Sequence, residues 1–61
     1  MHNLSEKELA VVNQLLNEEE LLVKKYQMLA GHATDPALKQ QMLDISDKHQ
    51  GHFNAIYSYL Q

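Results

Sequence analysis

The chain lacks cysteine altogether, and its 61 residues contain one proline and two glycines. Without cysteine there is no disulfide, no thiolate metal site and no thiol nucleophile. That absence matters because so short a chain buries too little surface to be comfortable alone without a staple. What remains is oligomerisation, or a metal held by other side chains. Basic residues are also scarce: five Lys and Arg stand against eight Asp and Glu, for a formal charge of −3. Acids and bases are interspersed, so no basic stripe offers itself to nucleic acid. No apolar run is long enough to span a bilayer, and Met1-His2-Asn3 lacks the basic-then-apolar start of a signal peptide. The expectation is a soluble protein, cytoplasmic in the cell that makes it, with neither nucleic acid nor membrane as partner. There is no glycine-rich phosphate loop. Ser5, Ser46 and Ser58 stand in no triad context. Nothing here calls for an enzyme.

Sparse punctuation leaves room for long helices. Ser5-Glu6-Lys7-Glu8 reads as a capping box, with Leu4 and Leu9 spaced as a hydrophobic staple. The first helix is predicted from about Glu6 to about His32, where Gly31 and Thr34 weaken the pattern. Asp35-Pro36 then offers an N-cap followed by proline at the first helical position. The second helix is predicted from about 36 to 60. The connection is only a few residues, so the helices must be antiparallel neighbours within a single domain spanning residues 1–61.

At 100° per residue, Leu9, Val12, Leu15, Leu16, Leu22, Val23, Tyr26, Leu29 and Ala30 share one broad arc of the first helix. Leu38, Met42, Ile45, Phe53, Ile56, Tyr57 and Leu60 form an arc nearly as wide on the second. One neighbouring helix covers a narrower seam than either. Each helix therefore wants two neighbours, and a homodimeric four-helix bundle is about the smallest assembly that provides them. The fold class expected is all-α: an antiparallel two-helix hairpin, dimerising into a ferritin-like four-helix bundle.

Two polar residues interrupt these arcs. Glu19, within the run Glu18-Glu19-Glu20, falls near the centre of the first arc; His49 falls near the centre of the second, with His52 one turn on and nearer its edge. Glu19 and His49 are equidistant from Thr34, so a hairpin folded there brings them to one level. A buried carboxylate must be paired, protonated or bound to a metal. The plain reading is a buried Glu19–His49 pair that fixes helix register and partner choice; it needs no cofactor. The second is a metal site made of Glu19, His49 and His52, taking zinc, iron or manganese. Carboxylate-bridged two-metal bundles take a Glu from one helix and a Glu-x-x-His pair from the next. Here a His stands where that second carboxylate is expected, so the donors suit zinc better than an oxygen-activating di-iron pair. Tyr26 reads as a core aromatic. His2 and His32 read as solvated, and Gly51 as an outer-face residue that weakens its helix by up to about 1 kcal/mol.

Leu4-Ser5-Glu6-Lys7-Glu8-Leu9, Gln14-Leu15-Leu16-Asn17-Glu18-Glu19, Leu22-Val23-Lys24-Lys25-Tyr26, Thr34-Asp35-Pro36 and Lys48-His49-Gln50-Gly51-His52-Phe53 together make the stretch from Leu4 to Leu60 resemble the spore coat F domain. That family comprises short ferritin-like helical hairpins of endospore-forming bacteria. The resemblance implies a structural, non-enzymatic role in or near the spore coat, with the chain itself and other coat proteins as partners. The same segments look like half of a rubrerythrin-type bundle. In that likeness Glu19 matches the first-helix carboxylate and His52 the second-helix histidine, while His49 departs from the expected Glu. A third reading is a regulatory hairpin that binds a partner protein. The Ser-Gln-x-Leu-Asp segment of small sporulation phosphatases is not reproduced by Leu43-Asp44-Ile45-Ser46-Asp47.

Overall fold

A computed structural model describes residues 3–61; the expectation for His2 lies outside the described residues. The described residues form helices and short connections, with no strand. Helix α1 spans Glu6–His32 and helix α2 spans Pro36–Tyr57, followed by a 3₁₀ turn over Ser58–Leu60.

The capping box forms as read. The Glu8 amide donates to Ser5 Oγ at 3.1 Å, and the Ser5 amide donates to Glu8 Oε1 at 3.0 Å. These reciprocal bonds satisfy two donors at the helix entry. At the head of α2, the Leu38 amide donates to Asp35 Oδ2 at 2.7 Å. Gly31 does not end α1, which continues through it to His32. The break comes at Ala33, ahead of Pro36. The proline ring holds Asp35 out of the helical region, at φ −72° and ψ 122°, and Ala33 has already turned extended, at φ −78° and ψ 128°. The reversal occupies residues 33–35 and closes an antiparallel hairpin.

The second helix stops short of the predicted end near residue 60. Its last turn tightens to 3₁₀, where the Gln61 amide reaches the Ser58 carbonyl at 3.3 Å. The Ser58 hydroxyl donates to the Ala55 carbonyl at 2.6 Å, taking one acceptor of the terminal turn. Such tightening is usual where the last carbonyls lack helical partners.

The seam between the helices is thin. Val12, Leu16, Val23 and Ala30 are buried on α1, and Ser46 on α2. Met42, Ile45, Phe53 and Ile56 are half-buried. Ser46 is only 2% exposed, and its hydroxyl donates to the Val23 carbonyl at 3.1 Å. The Cα envelope measures 46 × 16 × 10 Å, a slab one helix thick. Much of the predicted apolar arc is left open: Leu9, Leu15, Leu29, Leu38, Tyr57 and Leu60 are all exposed. A Cβ built on Gly51 would meet nothing within 4 Å, in keeping with its outer-face position.

Candidate metal centre

Glu19 lies near the middle of α1, and His49 and His52 lie one turn apart on α2. Their meeting follows from the turn. Asp35-Pro36 sets the start of α2, Val23 opposes Ser46 across the seam, and one helical turn further from the loop Glu19 opposes His49. His49 Nδ1 is 2.8 Å from Glu19 Oε2, and the two side chains are 22% and 16% exposed. Both are sheltered without being sealed.

His52 approaches the same oxygen: its Nδ1 is 3.5 Å from Glu19 Oε2, with the side chain 62% exposed. The His49 and His52 rings meet edge to face, with centroids 5.5 Å apart at 87°. Tyr26 stacks on His49 with centroids 5.8 Å apart and planes 14° from parallel. Lys25 Nζ sits 5.9 Å from the Tyr26 ring centroid, within cation–π range. The His49 ring is therefore set by three neighbours: Tyr26 on its face, Glu19 at Nδ1, and His52 at an edge contact.

The three residues singled out in the sequence converge. One ligand atom from each of Glu19, His49 and His52 lies within 4.8 Å of the other two. His32 is exposed at the far end of α1 and is not a member of that group. Two features were not read from the sequence. The Tyr26 stack needs the actual register of α2, which periodicity does not supply. Ser46 does carry a signal: it falls between Phe53 and Tyr57 on the apolar arc of α2, where a small polar side chain must find a partner across the seam.

The donor set can be compared with a carboxylate-bridged two-metal centre. That centre needs a Glu-x-x-His on the second helix. Here the corresponding four residues are His49-Gln50-Gly51-His52, and the group offers one carboxylate per chain. The residues present do not fit a bridged di-iron site.

The two faces of the slab differ. A groove of about 450 Å³ near the open end is lined by Leu4, Val11, Leu15, Ile56 and Tyr59, with Lys7 and Glu8 at its side. A second groove, of about 370 Å³, is lined by Glu20, Lys24, Gln27 and Gln50 around Val23 and Phe53. At 100° per residue, Val11, Leu15 and Leu22 fall roughly opposite Glu20, Lys24 and Gln27 on α1. His52 shares the side of α2 that carries Leu38, Ile45 and Ile56. The Glu–His group thus opens on the apolar face.

No helix among the described residues is long and apolar enough to cross a membrane. No family model, no curated protein and no solved structure matches this chain.

Proposed function

We propose that this chain is a non-enzymatic structural protein that works as a homodimeric four-helix bundle, with spore coat assembly as its setting. The observation that carries the bundle is the one-sided apolar face. Val11, Leu15 and Leu29 of α1 and Leu38 of α2 are exposed on the side where Ile56 and Tyr59 line the open-end groove. A compact monomer of this mass exposes about 4,000 Å²; the hairpin exposes 4769 Å². The excess is close to the roughly 800 Å² per partner of a standard interface. A second copy, laid apolar face to apolar face, gives each helix its second neighbour. The Glu19–His49 pair would then lie in the bundle interior, where a polar pair specifies register. The coat setting rests on the likeness of Leu4 to Leu60 to the coat F hairpins and is proposed on that ground alone.

Sedimentation equilibrium at tens of micromolar tests the bundle. The expected mass is twice the 7.0 kDa of the chain; a single-chain mass overturns it. Fractionation of spores tests the setting, which requires the protein in the coat layer and is overturned if it stays with the soluble core fraction.

A further inference from the structure

We propose that Glu19, His49 and His52 form a mononuclear site for a zinc-class divalent ion that clips α1 to α2 at mid-hairpin. The site needs only one chain, so it stands or falls separately from the bundle. Its ligands come from two helices, with Glu19 thirty or more residues from either histidine in sequence, yet their donor atoms are already gathered within 4.8 Å. Three ligands at 2.0–2.2 Å around a tetrahedral ion lie roughly 3.3–3.6 Å from one another. Of the separations here, the 3.5 Å between His52 and Glu19 lies within that range, and the 2.8 Å between His49 and Glu19 must open by about half an ångström. Closing the third needs only a turn of His52, whose exposed ring is free to move without disturbing the seam.

The chemistry of the donors selects the ion. Two imidazoles and one carboxylate suit zinc, cobalt or nickel, whereas calcium and magnesium call for oxygen ligands. Three protein ligands leave the fourth position of a tetrahedral ion open. The Tyr26 stack holds the His49 ring beside the Glu19 carboxylate before any ion arrives, so little ordering remains, and the ion takes the place of the hydrogen bond between Glu19 and His49. The physical role follows from size. A 61-residue chain without cysteine has no covalent staple, and a metal bound only by the folded hairpin adds its binding free energy to folding.

The test uses the full chain, purified without a histidine tag, stripped with chelator and titrated with Zn²⁺ and Co²⁺. Native mass spectrometry should count one ion per chain, and Co²⁺ should show the strong visible absorption of a tetrahedral site. Zinc at about a hundred times its Kd should raise Tm by on the order of 10 °C. His52→Ala removes an exposed ligand, so the variant should keep its far-UV circular dichroism. Second-layer partners alone are worth about 10–100-fold in affinity; loss of a direct ligand should weaken zinc by at least about 100-fold and abolish the Tm shift. His32→Ala, at the far end of α1, should change neither. A wild type that shows no zinc-induced Tm shift overturns the proposal, and so does a shift retained in His52→Ala or lost in His32→Ala. A monomer that binds one ion would overturn the bundle and leave this site standing; a dimer that binds none would do the reverse.

Discussion

Ser46 illustrates how much a single side chain can decide in a seam this thin. Its hydroxyl reaches the Val23 carbonyl across the interhelical space at 3.1 Å, with 2% of the residue exposed. The carbonyl has a second lone pair for its own helix, so the bond adds to α1 without breaking it. Ser46→Ala should cost about 1 kcal/mol, read as a lower urea midpoint at fixed protein concentration. Ser46→Leu should cost more, about 1–3 kcal/mol, because the seam has no room for the added methylenes. If the leucine variant is the more stable of the two, the seam is looser than this geometry describes. Glu19 and His49 were legible as exceptions within apolar arcs. Tyr26 was legible only as an aromatic on the same arc, because its stack on His49 depends on where α2 sits along α1.

Among the elements, α1 owes its sharp start to Ser5 and Glu8. Two hydrogen bonds from Ser5, that of its backbone amide first and that of its side chain second, hold the Glu8 carboxyl below the ordinary glutamate range. A carboxyl whose folded-state value is depressed stabilises the fold above its unfolded value, and that contribution is lost as pH falls through the folded one. The helix start should therefore be complete at neutral pH and loosen in the acid range below the usual glutamate titration. The Ser5 amide proton shift, followed by NMR from pH 7 to pH 3, should titrate with a midpoint below that of an unstructured glutamate. In Glu8→Gln the titration should vanish; if it persists, another carboxyl controls the entry. Both bounds of α1 and the start of α2 were readable because caps and a proline act within a few residues of themselves. The 3₁₀ ending of α2 was not, since no cap residue marks the place where the helix gives way.

The whole molecule is a slab with an apolar groove on one side and a polar one on the other, and that asymmetry makes a prediction of its own. Leu15→Lys places a charge in the open-end groove lined by Val11, Ile56 and Tyr59. It should weaken the proposed dimer at least tenfold, equivalent to about 1.4 kcal/mol, as followed by sedimentation equilibrium. Gln27→Lys adds the same charge in the opposite groove, beside Glu20 and Gln50, and should leave the dimer intact. Equal loss in both variants would argue that the apolar face is not the one covered. Far-UV circular dichroism serves as the check that each variant still folds.

By itself, the sequence determined two long helices, their caps, the short reversal at residues 33–35 and the identity of the polar exceptions Glu19, His49 and His52. These are consequences of local chemistry: capping, proline geometry and the 3.6-residue period act over one or two turns. Only the tertiary structure decided that His52 Nδ1 comes to the same carboxylate oxygen as His49 Nδ1. It also decided that Tyr26 stacks on His49, that Ser46 is buried, and that Val11, Leu15, Ile56 and Tyr59 come together to line one apolar groove. Each of these depends on the rotation and axial register of one helix against the other. Periodicity places a residue on an arc, but packing alone selects what stands across from it.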